Sequence, residues 1–152
     1  MRCHAVHHHA DRYVASLRRC FRDRGLEVVF FERYVGNSQF EHMHLHALPL
    51  RPELAARSRS VVEQHGARLG IRFDVLPKGT AVSSVLTTVE PFLRIELPNG
   101  EQLLHRMSTN PRKHPLQYVR EAFASLLGSP KRADWKVGVP GVVVSISCEV
   151  SI

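Results

Sequence analysis

Three histidines alternate with apolar residues in the segment His42-Met43-His44-Leu45-His46. Successive side chains of a β-strand point to opposite faces, so the three imidazoles are expected to share one face while Met43 and Leu45 pack into the core. Neighbouring imidazoles on such a strand stand about 6.6 Å apart, which suits the lining of a phosphate site. A neutral imidazole attacks phosphorus, and a charged one beside it stabilises phosphate oxygens. A histidine-rich surface strand and an accidental metal site are the plainer alternatives.

The pattern resembles the histidine triad (HIT) motif of nucleotide hydrolases and transferases. The resemblance implies that His44 is a nucleophile that carries a nucleotidyl phosphoramidate, and that His42 and His46 orient it and contact phosphate. HIT enzymes often place phosphate- or ribose-contacting polar residues just before the triad, where this chain has Asn37, Ser38 and Gln39. A turn explains Asn37 and Ser38 equally well.

Other segments make the resemblance more specific because they occur in a fixed order. They are Gly25-Leu26-Glu27-Val28-Val29-Phe30-Phe31-Glu32-Arg33, Leu76-Pro77-Lys78-Gly79-Thr80, Phe92-Leu93-Arg94-Ile95-Glu96-Leu97-Pro98-Asn99-Gly100, Leu103-Leu104-His105-Arg106, Pro115-Leu116-Gln117-Tyr118-Val119-Arg120-Glu121, Leu126-Leu127-Gly128 and Arg132-Ala133-Asp134-Trp135. Together with the triad they resemble the paired C-terminal domains of CwfJ-like (Cwf-nineteen-like) proteins. The resemblance covers most of the chain, from about residue 13 to residue 135.

This resemblance implies a partial HIT-like region over residues 1–50 (CwfJ C-terminal domain 1), a second C-terminal domain over 51–137 and a divergent tail over 138–152. It implies an RNA-processing factor of the nucleus, associated with the spliceosome and with intron lariat turnover. The implied partners are single-stranded or branched RNA, spliceosome proteins and the lariat debranching enzyme. A HIT-type nucleotide hydrolase or transferase is the alternative.

The chain departs from the family pattern in three ways. Family members often carry glutamine at the later triad positions, whereas this chain has His44 and His46, which favours catalysis. The chain begins where the family is already halfway through its HIT domain, so we expect a weak or inactive catalyst. The cysteine that usually follows the tryptophan is absent from Lys136-Val137-Gly138.

The composition favours a polyanionic partner. The chain has 152 residues with 21 basic and 14 acidic side chains, a formal charge of +7. Such an excess favours RNA, although a solvated basic surface explains it as well. Charge in the second half makes further residues candidates for RNA or phosphate binding: Lys78, His105, Arg106, Arg112, Lys113, Lys131 and Arg132.

The sequence predicts neither a cofactor nor a metal site. Consecutive histidines such as His7-His8-His9 cannot converge on one ion within a regular element, even with Cys3 and His4 nearby. The scattered cysteines Cys3, Cys20 and Cys148 suggest no disulfide framework, which fits a reducing compartment. The chain lacks an apolar run of membrane-spanning length, so no membrane partner is predicted.

Hydrophobic periodicity and turn residues predict an α+β fold with mainly antiparallel strands. Strands 26–32 and 42–48 form a hairpin, in which Glu32 and Arg33 are candidates for a stabilising ion pair. Asn99 and Gly100 mark a second hairpin turn. The remaining elements are helices over residues 9–24, 52–69 and 115–127 and strands over 71–75, 88–97 and 102–107. The arginines of the first helix are expected to form a solvated outer face.

Overall fold

The computed structural model describes residues 3–34, 43–87, 90–107, 117–129 and 144–148, with side chains described from residue 12 to residue 129 apart from Met43. Within these residues the helices and strands follow in the order α1 (Cys3–Arg22), β1 (Glu27–Tyr34), β2 (Met43–Leu50), α2 (Pro52–Ala55), α3 (Ser58–Arg68), β3 (Asp74–Leu76), β4 (Phe92–Glu96), β5 (Gln102–Arg106), α4 (Tyr118–Leu126) and β6 (Val144–Cys148). No helix of this part of the chain is long and apolar enough to cross a membrane.

The strands form one six-stranded sheet in the order β3-β5-β4-β1-β2-β6. Every pair of neighbours in it is antiparallel. The predicted α+β class with antiparallel pairing is therefore confirmed. The sheet joins strands from all three predicted segments, since β1 and β2 precede residue 51, β3 to β5 follow it, and β6 lies in the tail. The segment boundaries and the HIT-like character of the first segment stay predictions.

Alternation along the strands gives the sheet two different faces. Val28 and Phe30 lie on one face with Leu45 and Ala47, where they pack against apolar residues of α1. We call this the α1 face. The neighbouring residues of the same strands lie on the opposite face, which α2, α3 and α4 cover and which we call the α4 face. Its buried cluster consists of Val29, Phe31, Leu48, Leu50, Ala55, Val62, Ile71, Leu93, Ile95, Leu97, Leu103, Met107, Tyr118, Val119 and Phe123.

The helix boundaries differ in part from those predicted. The start predicted near residue 9 is wrong, because α1 extends back to Cys3 through residues without Pro or Gly. It ends at Arg22, two residues before the predicted end, and Gly25 follows with φ +70° while the Leu26 amide donates to the Phe21 carbonyl at 2.9 Å. The single helix predicted over 52–69 is also wrong. A turn at Ala56 and Arg57 separates α2 from α3, and α3 begins at Ser58, which is fully buried.

The strand predictions hold in position but not always in length. The turn at Asn99 and Gly100 is confirmed: Gly100 has φ +90°, and its amide donates to the Leu97 carbonyl at 2.9 Å. The strand predicted over 71–75 is shorter and later, because β3 covers Asp74–Leu76. The start of the last predicted helix, Pro115, lies outside the described residues. In the tail, where no element was predicted, β6 pairs with β2.

Candidate functional site

His44 and His46 lie on the same face of β2, as predicted. Leu45 and Ala47 are buried on the α1 face, so the two imidazoles project from the α4 face. The ring centroids lie 6.4 Å apart with the planes inclined by 25°. β2 pairs with β1 in the predicted hairpin, and His46 lies opposite Phe31. The geometric prediction is confirmed for His44 and His46, while His42 lies outside the described residues.

His46 is held in a half-buried position by stacking on Phe31. The two ring centroids lie 4.7 Å apart, with the planes within 19° of parallel. Burial, followed by the electrostatic effects of Arg120 and His44, lowers the pKa of His46 from 6.5 to about 4. His46 is therefore neutral at pH 7. The phosphate contact that the resemblance implies for His46 stays a prediction.

His46 lines a small pocket between the sheet and α4, which we call the His46 pocket. Its volume is about 80 Å³. Two arginines and two histidines line it together with apolar side chains, and the described lining contains neither Asp nor Glu. The four cationic or imidazole groups come from four different elements, β1, β2, β5 and α4. The lining residues are Phe31, Arg33, His46, Ile71, Leu93, His105, Met107, Tyr118, Val119 and Arg120.

His105 is oriented from outside the pocket. Its Nδ1 lies 2.7 Å from the carbonyl oxygen of Arg72, and Phe73 meets its ring edge-on at 5.9 Å. A carbonyl oxygen only accepts hydrogen bonds, so Nδ1 carries the proton and donates it. In the neutral ring, Nε2 is then an acceptor that becomes a second donor on protonation.

Tyr118 fixes α4 in place and does not offer its hydroxyl to a ligand. It is 2% exposed, and its hydroxyl donates to the Val62 carbonyl of α3. Burial raises its pKa, and the nearby Glu63 carboxylate acts in the same direction, so the hydroxyl stays protonated as a donor. The two helices also pack closely at Gly66 of α3, where an added Cβ would lie 2.9 Å from the Tyr118 hydroxyl oxygen. This contact holds α4, the helix that carries Arg120, against α3.

The ion pair predicted between Glu32 and Arg33 is not formed, and Glu32 pairs with a different arginine. Glu32 and Arg33 are neighbours on β1 and therefore point to opposite faces. Glu32 is 3% exposed and pairs with Arg94 of β4, whose Nε lies 2.7 Å from Glu32 Oε1. Arg33 lies on the α4 face and lines the His46 pocket. The pair that stabilises the sheet is therefore Glu32–Arg94.

Other residues with predicted site roles are dispersed. His105 joins the His46 pocket. Lys78 is exposed beyond β3, with its aliphatic chain against the turn at Gly100. Arg106 lies outside the pocket lining, 3.6 Å from an Asp74 oxygen and 3.9 Å from a Glu90 oxygen. The remaining candidates lie outside the described residues: Asn37, Ser38, Gln39, Arg112, Lys113, Lys131 and Arg132.

Arg120 and Arg33 were not predicted as site residues. Both belong to the ordered segments that carry the family resemblance, which is the signal that was available. Arg120 lies 74 positions after His46 in the chain, so only the packing of α4 on the sheet brings them together. The described residues also contain no group of three or more His, Cys, Asp or Glu side chains placed to share a metal ion. The side chains of His4, His7, His8 and His9 lie outside that description.

Comparisons with known proteins support relatedness over most of the chain. No family model matches it. It is 33% identical over 132 residues to CWF19-like protein 1 of Xenopus laevis, which covers 83% of this chain. It is 32% identical over 132 residues to zinc finger CCCH domain-containing protein 59 of Oryza sativa subsp. japonica, covering 82% of this chain, and 28% identical over 130 residues to human CWF19-like protein 1, covering 83%. The chain spans 23%, 21% and 23% of the lengths of these three relatives.

Proposed function

Because the chain belongs to the CwfJ/Cwf19-like family, we propose that it is part of a nuclear RNA-processing factor that acts in pre-mRNA splicing and intron lariat turnover. Its part in that process is to bind single-stranded or branched RNA. Spliceosome proteins and the lariat debranching enzyme are the proposed protein partners. The support for the splicing role is the family resemblance, and the support for RNA binding comes from the residues themselves.

The observation that carries the RNA-binding proposal is the grouping of Arg33, Arg120, His105 and His46 in one pocket. Guanidinium groups bind phosphate oxygens in bidentate fashion, and imidazoles supply additional N–H donors. His44 is exposed beside this pocket and extends the polar surface along β2. The formal charge of +7 adds a long-range attraction for a polyanion.

RNA titrations test this proposal. A branched RNA and a linear single-stranded RNA of the same composition are titrated by fluorescence anisotropy, and we expect binding that weakens steeply from about 50 to 200 mM salt. His44→Ala tests the exposed end of the site, and Arg59→Gln, at an exposed position of α3, is the control. Two double variants, Arg112→Glu with Lys113→Glu and Lys131→Glu with Arg132→Glu, should also weaken binding. Binding no stronger than that of an unrelated protein of equal charge contradicts the proposal.

The second candidate function is HIT-type nucleotidyl hydrolysis, which the exposure of His44 beside a neutral His46 favours. In this reaction a neutral nitrogen of His44 attacks the phosphorus of a nucleoside phosphoramidate, the P–N bond breaks, and the amine leaves with a proton. Water then attacks the nucleotidyl-histidine, which releases the nucleoside monophosphate and restores the imidazole.

Turnover of adenosine phosphoramidate by the chain and by His44→Asn tests that candidate. We expect slow turnover, in line with the weak catalysis predicted from sequence. Parent rates in the normal enzyme range of about 1–10³ s⁻¹, with loss in His44→Asn, would make the enzyme the primary function. Equal rates for parent and variant would exclude His44 as the nucleophile.

A further inference from the structure

The size of the His46 pocket limits what can enter it. Its volume is about 80 Å³. Pockets that enclose whole small ligands measure about 300–1,000 Å³. A nucleoside therefore does not fit inside, whereas a single compact group does.

The chemistry of the lining selects an anionic group. Arg33 of β1 and Arg120 of α4 both line the pocket, so two arginines from different elements border the same space. Phe31, Leu93 and Met107 supply apolar walls, which strengthen electrostatic attraction by excluding water. A planar guanidinium matches the oxygen spacing of phosphate and holds it through two parallel hydrogen bonds.

We propose that the His46 pocket binds a terminal phosphate monoester, the end group of an RNA strand, and that Arg33 and Arg120 hold its oxygens. The inference rests on the proposed function in taking RNA as the molecule that carries the phosphate. A monoester has one ester substituent, so its three remaining oxygens can enter while the nucleoside stays outside near His44. An internal phosphodiester has a nucleoside on either side and is too bulky for the pocket.

Charge also favours a monoester over a diester. A phosphate monoester carries about 1.5 to 2 negative charges at pH 7, compared with one for a diester. The positive charge of Arg120 reaches into the pocket, since it contributes to the lowered pKa of His46. Among the described residues, the charged or titratable groups around His46 are Arg120 from α4, Arg33 from β1, His105 from β5 and His44 on its own strand. A bound dianion among them is expected to raise the pKa of His46.

The test compares three RNA oligonucleotides of one sequence that carry a 5′-phosphate, a 3′-phosphate or hydroxyls at both ends. We expect one phosphorylated oligonucleotide to bind about tenfold more tightly than the hydroxyl form, a difference of about 1.4 kcal/mol. Arg120→Gln should remove this preference. Arg19→Gln, which removes one exposed arginine of α1, is the matched control and should retain it.

The outcomes separate this inference from the proposed function. If all three oligonucleotides bind equally, the phosphate pocket is contradicted while RNA binding stands. If none binds, the RNA-binding function fails, and imidazole NMR spectra of the unmodified chain with adenosine 5′-monophosphate decide the pocket. Movement of the His46 and His105 ring signals, with those of His65 unchanged, supports a phosphate pocket, and unmoved signals overturn it. The same spectra decide the question if Arg120→Gln does not fold.

Discussion

The two faces of the sheet use charged residues differently. On the α1 face, each of two arginines lies against a carboxylate: Arg18 Nη2 is 2.6 Å from a Glu96 oxygen, and Arg94 Nε is 2.7 Å from a Glu32 oxygen. On the α4 face, the described lining of the His46 pocket groups Arg33 and Arg120 with two histidines and no carboxylate. Opposite charges in contact stabilise a fold, whereas arginine and histidine side chains that line a pocket can donate hydrogen bonds to an anionic ligand. The first arrangement is suited to stability and the second to binding an anion.

The α1 face also shows how one arginine joins the helix to the sheet. Arg18 donates to the carbonyl oxygens of Leu97 and Pro98 as well as to Glu96, and its guanidinium lies 5.0 Å from the centre of the Phe30 ring. These contacts hold α1 against the end of β4 and the turn that follows. Their residues serve the fold, so changing them should alter stability more than ligand binding.

The largest expected effect is the loss of stability in Glu32→Ala. This change leaves Arg94, whose side chain is 17% exposed, without its partner in a partly desolvated site. Removing one member of a buried pair costs about 3–5 kcal/mol, which urea denaturation of parent and variant measures. Glu63→Ala removes one member of the exposed Arg59–Glu63 pair and should cost at most about 1 kcal/mol.

A double variant sharpens this result. Glu32→Leu with Arg94→Met replaces the pair by apolar side chains and should recover most of the stability lost in Glu32→Ala, because no buried charge remains. If the single variant is as stable as the parent, the Glu32–Arg94 pair is not a stabilising element, and the comparison between the two faces fails.

A smaller loss is expected on the α4 face from Gly66→Ala. The new Cβ would lie 2.9 Å from the Tyr118 hydroxyl oxygen and 3.0 Å from the Ile71 carbonyl oxygen, so α4 must shift away from α3. Overpacking of this kind costs about 1–3 kcal/mol. Because α4 carries Arg120, the variant should also lose preference for a phosphorylated RNA end, which the oligonucleotide titration measures. A destabilised variant with normal phosphate preference would show that Arg120 does not need this packing.

Local sequence patterns predicted the elements better than they predicted the site. Alternation identified the strand that places His44 and His46 on one face, and glycines identified turns such as the one at Gly100. The pattern Val144-Ser145-Ile146-Ser147 alternates in the same way and was the available signal for β6. These features depend on neighbouring residues alone, which is why sequence reasoning reaches them.

Contacts between distant residues were the part that sequence reasoning missed. Arg18 was expected in a solvated face, but its partner Glu96 lies 78 positions away. Arg120 reaches His46 only because Tyr118 fixes α4 against α3. Nothing in the local pattern around either arginine distinguishes it from the exposed arginines of α1. Such pairings depend on how helices pack on the sheet, which periodicity does not encode.

The smallest effect we predict is a pH dependence of stability that originates at His46. Its pKa is about 4 in the folded chain against 6.5 as the ordinary value, so between these values the unfolded chain binds more protons. The contribution of His46 is therefore complete above pH 6.5 and is lost as the pH falls toward 4. His46 is half-buried, and allowance for solvent screening leaves about 1–2 kcal/mol.

His46→Phe isolates this contribution because phenylalanine retains the stacking on Phe31 without a titrating group. Urea denaturation of parent and variant across this pH range should show a flatter profile for the variant. Parallel profiles for parent and His46→Phe would mean that His46 has the same pKa in the folded and the unfolded chain.

A phosphate monoester bound beside His46 would place negative charge next to an imidazole that Arg120 now influences. Saturating adenosine 5′-monophosphate should therefore raise the pKa of His46 and reduce the slope of stability against pH in the parent. An unchanged slope would place the bound anion away from His46 and restrict the α4 face to a role in folding.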